Sequence, residues 1–345
     1  MLVGFVSTVG LVPLARRLAR HIGMLDQPAA RKLHDDPTPL LGGLAIYVAT
    51  VLVILAFLER QAWEQVWAVL AGGTLLLVVG IVDDAVSLPA KLKLFVAMPA
   101  AALLLVDSGI RTMYPVSLFL SADGWATGAL GIGLSMVWIV GITAAFSILD
   151  HMDGLCAGVA AIAAAFFFGL SFAAGQIWVS VLAAAIVSAG LGFLVWNFKP
   201  AKIFMGDGGA MFLGFMVAAL AVKLNLRSHP PTVSWMVPVL VLMVPILDTS
   251  LVTISRLRRG LSPLEHPGKD HLAHRLARMG LGQRGAVLFI YGLGVTAGAT
   301  ACLVLQMRAV YAHVVLAAVF LAGLAAILLL ERVPYERQES AAESV

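Results

Sequence analysis

The sequence predicts an all-α polytopic membrane protein with about eleven transmembrane helices, N-terminus outside and C-terminus cytoplasmic. Three observations predict it. The 345 residues are 61% hydrophobic and only 12% charged, whereas soluble domains are about 45–50% apolar and about 25% charged. Apolar runs recur along the chain at lengths near the roughly 20 residues that cross a bilayer. Alternate loops carry very unequal numbers of Lys and Arg. The 33 glycines agree with this class, because small residues let membrane helices approach closely.

In chain order the runs lie near 2–18, 41–58, 66–82, 93–107, 127–149, 155–174, 177–196, 208–224, 232–254, 285–306 and 309–330. The first has no signal-peptide grammar, since its arginines follow the apolar stretch and no cleavage-type end is present, so it reads as a retained span. Several runs are short for a span, which calls for tilt or protrusion. No internal repeat or soluble linker interrupts the series. Residues 1–331 therefore read as one integral-membrane domain, and the polar tail 332–345 as disordered. Cys156 and Cys302 sit in apolar runs without metal spacing and read as inert small hydrophobes.

Orientation follows from the basic residues. One set of loops holds eighteen: Arg16, Arg17, Arg20, Arg31 and Lys32; Lys91 and Lys93; Lys199 and Lys202; seven between Arg256 and Arg284; and Arg332 and Arg337. The opposite set holds five, at Arg60, Arg111, Lys223, Arg227 and Arg308. The richer side is expected to be cytoplasmic.

Aspartates show a second asymmetry. Asp26, Asp35, Asp36, Asp83, Asp84, Asp150, Asp153, Asp207, Asp248 and Asp270 all fall on the basic side or in adjoining helix ends, while Asp107 and Asp123 fall opposite. Topology rules do not require this, because acidic residues contribute little to orientation. Asp83-Asp84 ends an apolar run, Asp150-His151-Met152-Asp153-Gly154 follows another, and Gly206-Asp207-Gly208-Gly209 precedes a third. Convergence of these groups would be costly, since two unit charges about 4 Å apart repel by about 4 kcal/mol at an effective dielectric near 20. Either some stay protonated or a cation holds them. An all-oxygen donor set suits Mg2+ or Mn2+ in company with phosphates and water. A lone aspartate at a helix end is more often a cap or a solvated loop residue, so the set carries the argument and no single member does. Gly206, Gly208 and Gly209 add to it, because N–H groups at a helix start attract anions.

Two basic loops complete the pattern. The last one contains Lys269-Asp270-His271-Leu272-Ala273-His274-Arg275. His271 and His274 can share a helical face, and Arg275 can meet phosphate through two hydrogen bonds. The competing readings are a basic surface on anionic lipid headgroups and a zinc pair, whose usual spacing is absent. The first loop holds Arg31-Lys32-Leu33-His34 ahead of Pro39 and Gly42-Gly43. It serves either as membrane anchoring or as a further phosphate clamp.

At these residues the chain resembles the polyprenyl-phosphate N-acetylhexosamine-1-phosphate transferases of the glycosyltransferase 4 family. The likeness runs over nearly the whole chain. It rests on Asp26 to His34 with Pro39 and Gly42-Gly43, on Asp83-Asp84 with Lys91 and Lys93, on Asp150 to Gly154, on Asn197 to Asp207, and on Asp270 to Arg275. Phe204-Met205-Gly206-Asp207 is the most specific of these. The last loop looks more like the undecaprenyl-phosphate N-acetylglucosamine branch than the muramoyl-pentapeptide branch, whose run of adjacent histidines is missing.

The resemblance implies a transfer of sugar-1-phosphate, foremost GlcNAc-1-phosphate, from a UDP-sugar to a polyprenyl phosphate at the cytoplasmic membrane face. UMP is released, in a first membrane step of cell-envelope polysaccharide synthesis. It implies Asp207 as the principal Mg2+ ligand, with Asp83 and Asp84 serving the metal and the lipid phosphate. Asp150 is implied at the metal and the nucleotide, and Asp153 and Phe204 at the uracil. His271, His274 and Arg275 would face the diphosphate or sugar. Asn197, Lys93, Arg31, Lys32, His34 and Ser147 belong to the expected substrate-binding set. A homodimer in the bilayer is implied, and no nucleic acid. Ser147 and Ala144 stand where relatives carry asparagines, His151 where asparagine is common, Ala273 where histidine is common and Ala97 where glutamine is common. These departures bear on nucleotide-sugar contacts rather than on the aspartates. Phospho-MurNAc-pentapeptide transfer, a secondary transporter and an inactive scaffolding relative are the rival readings.

Overall fold

The computed structural model describes residues 1–26, 37–107, 125–226, 228–263 and 268–333. Arg31, Lys32 and His34 lie outside the described residues. The chain is helical almost throughout: α1 (Leu2–Ile22), α2 (Gly42–Phe57), α3 (Trp63–Val86), α4 (Ala90–Leu92), α5 (Met98–Asp107), α6 (Trp125–Leu149), α7 (Leu155–Ala173), α8 (Ile177–Asn197), α9 (Gly206–Lys223), α10 (Pro231–Val241), α11 (Met243–Arg258), α12 (Leu272–Leu276), α13 (Gly282–Val304) and α14 (Ala309–Leu330). The strands described are β1 (Leu25–Asp26) and β2 (Thr38–Pro39), an antiparallel pair with Leu25 opposite Pro39 and Asp26 opposite Thr38. This pair pins the two ends of the first basic loop.

Each of the eleven expected runs falls on helix, but fewer qualify as spans. Among the described residues eight helices are long and apolar enough to cross a membrane, or nine if the bent pair α10–α11 counts as one. Three expected spans fall short for local reasons. Helix α2 has only 16 residues, about 24 Å at 1.5 Å per residue. The run at 93–107 is divided by a π turn over Lys93–Ala97. Pro99 has no N–H to offer Phe95, and a missing i→i−4 bond is where a helix rewinds. The run at 232–254 bends by 68° between α10 and α11. There Pro245 cannot donate to Val241, and its ring crowds that carbonyl. The chain is thus a multi-pass membrane protein whose spans are less uniform than hydropathy suggests.

Helix α9 is the axis of the bundle. It is the most buried of the spans, and α2, α3, α6, α7 and α8 all pack on it. A helix apolar on every side belongs in such a position. Its first turn lies against α2 and α3 at backbone contact. A Cβ on Gly43 would overlap the Gly209 backbone, and one on Gly80 would overlap the Gly208 nitrogen. Small residues facing small residues remove the spacing that side chains impose. That contact carries the end of α3 to the start of α9, and the acidic residues travel with it.

Candidate active site

The last turn of α3 presents Asp83 and Asp84, and the first turn of α9 presents Asp207. Between them stands Lys93, at the start of the π turn. Its Nζ donates to Asp83 Oδ2 at 2.6 Å and to Asp207 Oδ2 at 2.5 Å. Asp83 Oδ1 accepts the Leu88 N–H at 2.6 Å, which folds the α3–α4 turn back over the carboxylate. One cation thus sits between two carboxylates brought from opposite ends of a long stretch of chain. The arrangement answers the repulsion that convergence would otherwise impose.

Asp84 has a different partner. Its Oδ1 accepts the backbone N–H of Asp207 at 3.0 Å, and Gly206 takes a φ of 70° in the turn beneath it. The free N–H groups at the start of α9, expected to attract phosphate, are therefore capped by a carboxylate of the chain itself. Asp84 locks α9 to α3 before any ligand arrives.

Asp150 lies between α6 and α7, half-buried beside the same cluster. Burial, followed by the negative charges of Asp207, Asp84 and Asp153, pushes its carboxyl well above the usual range. Four of the expected aspartates, Asp83, Asp84, Asp150 and Asp207, therefore share one electrostatic site. Asp153 faces the 198–205 segment, where its Oδ2 accepts the Ala201 N–H at 3.1 Å. Asn197 joins the same two segments from within. Its Oδ1 accepts the Gly154 N–H at 3.0 Å, and its Nδ2 donates to the Ile203 carbonyl at 2.9 Å. Expected at the substrate, Asn197 is buried as a brace with both ends of its amide engaged. Phe204 is half-buried, with its backbone tied to Pro39 and Gly42. Ser147 is half-buried in the last turn of α6.

The last basic loop divides into two parts. Asp270 accepts two bonds from Arg256, at 3.1 and 3.0 Å, and a third from Arg259 at 2.5 Å. Burial raises its carboxyl, but the two guanidiniums outweigh it and bring the pKa to about 2. Arg275, expected to face a diphosphate, is instead fully buried. Its guanidinium donates to the Asp270 and Leu330 carbonyls and to Ser255 Oγ, and pairs with Glu331 at 2.8 Å. A phosphate would have to displace these partners, so Arg275 serves as an internal clamp. His271 and His274 turn toward His151 of the third motif, with ring centroids 4.0 and 4.8 Å from it. Asp248 of α11 holds His271 Nδ1 at 3.0 Å and caps α12 through the Leu272 N–H at 2.7 Å. Sequence reasoning did not place Asp248 or His151 in a site. The signal for Asp248 was present, since an acid inside an apolar helix is a functional candidate by default.

Fold and site together define a multi-pass helical membrane protein with a cluster of aspartates at one end of its bundle. The chain belongs to glycosyl transferase family 4, whose model matches residues 66–225. It is 35% identical over 293 residues to the probable undecaprenyl-phosphate N-acetylglucosaminyl 1-phosphate transferase of Bacillus subtilis, covering 85% of this chain and 80% of the relative. It is 34% identical over 305 residues to the decaprenyl-phosphate N-acetylglucosaminephosphotransferase of Mycolicibacterium smegmatis, covering 80% and 74%. The undecaprenyl-phosphate alpha-N-acetylglucosaminyl 1-phosphate transferase of Escherichia coli K12 is 26% identical over 293 residues, covering 83% and 78%.

Proposed function

We propose that this chain is a sugar-phosphate transferase that moves GlcNAc-1-phosphate from UDP-GlcNAc to undecaprenyl phosphate at the cytoplasmic membrane face and releases UMP. The product opens the membrane stage of a cell-envelope polysaccharide. The names of the relatives support the reaction class. The observation that carries the reading to these residues is the convergence of Asp83 and Asp207 on one cationic position, filled here by the Lys93 ammonium.

That position fits a divalent ion. Its donors are carboxylate oxygens, it already accommodates a positive charge, and Mg2+ or Mn2+ are the ions such donors prefer. Asp207 and Asp83 would hold the ion, with Asp150 at its edge. When bound, the ion supplies neutralisation of the charge shared by the nucleophile and the diphosphate.

The remaining work belongs to the chain. A polyprenyl phosphate oxygen attacks the β-phosphorus of the UDP-sugar, the bond to the α-phosphate oxygen breaks, and UMP departs with that oxygen. The lipid phosphate is already largely ionised near neutral pH, so positioning outweighs proton removal. Lys93 moves from the carboxylates to the incoming phosphates as they enter. Asp84 holds the start of α9 still, and Asp153 and Phe204 meet the uracil. The bundle end suits an amphiphilic acceptor, whose phosphate lies at the interface while its tail needs an apolar groove.

The test is UMP release from UDP-GlcNAc and undecaprenyl phosphate by purified protein, with Asp207→Asn beside the wild type. The variant is expected to lose about 100-fold or more, as when a transition-state charge contact is removed. Full activity in the variant would remove Asp207 from the centre of the site. A panel of UDP-sugars run alongside reports the preferred donor, and turnover confined to UDP-MurNAc-pentapeptide would overturn the GlcNAc assignment.

A further inference from the structure

A second group of side chains stands beside the aspartate cluster, and the transfer just described gives it no step, although the family resemblance places His271 near the diphosphate or sugar. His151 follows Asp150 in the α6–α7 loop, Asp248 projects from α11, and His271 precedes α12. Their ligand atoms face one another. Asp248 Oδ2 lies 3.0 Å from His271 Nδ1 and 3.9 Å from His151 Nε2, and one donor atom from each residue falls within 4.8 Å of the others. A tetrahedral ion with bonds of about 2.0–2.2 Å spaces its donors about 3.4 Å apart. The two Asp248 distances bracket that value, and side-chain rotations that draw the two imidazoles, now within 4.8 Å, closer together would bring the donors around one ion.

The surroundings support the same conclusion. Asp248 Oδ1 accepts the Leu272 N–H, which fixes the carboxylate and turns Oδ2 toward both imidazoles. Metal-binding carboxylates are commonly oriented in this way. Both ring nitrogens of His151 are buried with no hydrogen-bond partner. An unsatisfied buried polar group costs about 1–3 kcal/mol, and an ordinary packing role gives His151 no compensation for it. An Asp248–His271 hydrogen bond by itself would explain His271 and leave His151 without a purpose.

We infer that His151, Asp248 and His271 form a transition-metal site of two histidines and one carboxylate, with zinc as the ion it takes. Two imidazoles select zinc over magnesium, so the site differs in chemistry from the all-oxygen cluster next to it. Its three ligands come from three separate segments. An ion there would fasten the Asp150 loop to α11 and α12 and hold the acidic pocket closed on that side. The inference goes beyond the transferase reading and does not depend on which sugar is moved.

The experiment reads metal content rather than turnover, so its outcome is separable from that of the activity assay. Protein purified in detergent without a polyhistidine tag is stripped with a chelator. It is then dialysed against Zn2+ in the presence of millimolar Mg2+ and analysed for metal. About one equivalent of zinc per chain is expected. Co2+ loaded in its place should show the visible absorption of a tetrahedral ion, and added Zn2+ should bleach it. His151→Asn should abolish both signals, and His313→Asn, at an exposed residue on α14, should leave both unchanged. His151 makes no hydrogen bond whose loss would unfold the chain, so His151→Asn is the decisive variant, and Asp248→Asn, which also loses the α12 cap, is the secondary one. Wild-type protein that retains no zinc and gives no cobalt spectrum would overturn the inference. So would His151→Asn protein that binds as much metal as the wild type.

Discussion

Lys93 and Asp207 are 114 positions apart in the chain and 2.5 Å apart in space. In the proposed reaction, the ammonium between Asp83 and Asp207 is a charge the site holds until an ion replaces it. This has a measurable consequence. Lys93→Gln keeps the length of the side chain nearly intact and removes its charge, which leaves the two carboxylates to repel each other. The stability lost is expected to be about 1–3 kcal/mol, and Mg2+ should restore most of it. In a thermal melt of detergent-solubilised protein, the Mg2+-induced rise in Tm should be larger for Lys93→Gln than for the wild type. An equal or smaller rise would show that the ion does not occupy the position of the ammonium. Asp84 makes the complementary case. It is bonded to the α9 backbone, so Asp84→Ala, which removes the acceptor, should cost stability as well as activity, and Mg2+ should not recover the lost stability.

Elements meet at this site because of what their ends carry. The first turn of α9 fits against α2 and α3 only where Gly43, Gly80, Gly208 and Gly209 stand opposite one another. Gly80→Val would place two methyl groups against the Gly208 backbone and separate the Asp84 cap from α9. Loss of folded protein in fluorescence-detected size-exclusion chromatography is expected, whereas Gly141→Val, where the added Cβ meets nothing within 4 Å, should be tolerated. The clamp on the last loop gives a second prediction. Asp270 is buried under Arg256 and Arg259, and Asp270→Asn leaves two guanidiniums without a counter-charge, at a cost of about 3–5 kcal/mol. A carboxyl brought down to about 2 contributes stability that is complete above its unfolded value near 3.9 and is lost as pH falls through about 2. Melts between pH 5 and 8 should therefore show no dependence traceable to Asp270. These elements also show what could be read in advance. The runs of α6 to α9, α13 and α14 stand out because each is long and apolar. The bend at Pro245 and the break before Pro99 are written in single residues, and a hydropathy window averages them away. The aspartates were legible because acids at the ends of apolar helices stand out against their background. The roles of Asn197 and Arg275 were not. A side chain able to hold a nucleotide or a phosphate is equally able to hold backbone carbonyls, and only the fold decides which partner is nearer.

For the whole molecule, the aspartate pocket, the His151 cluster and the clamp on the last loop occupy one end of the bundle. The proposed chemistry requires that end to face the cytoplasm, where nucleotide sugars are made. The expectation from the sequence agrees, since the eleven-run reading assigns eighteen basic residues to that side and five to the other. The same asymmetry holds for the aspartates, which are no part of the topology signal. The aspartates mark the end of the bundle that would do the chemistry, and the basic residues alone predict which side of the membrane it faces. Labelling decides it directly. In a background carrying Cys156→Ala and Cys302→Ala, a single cysteine is placed at Lys202, exposed beside the pocket, or at Ser228, exposed in the segment between α9 and α10. A membrane-impermeant maleimide applied to intact cells should modify Ser228→Cys and leave Lys202→Cys unreacted until the membrane is opened. The reverse pattern would place the acidic pocket outside, away from any cytosolic donor. The transferase reading would then have to be abandoned, although every distance within the pocket would stand.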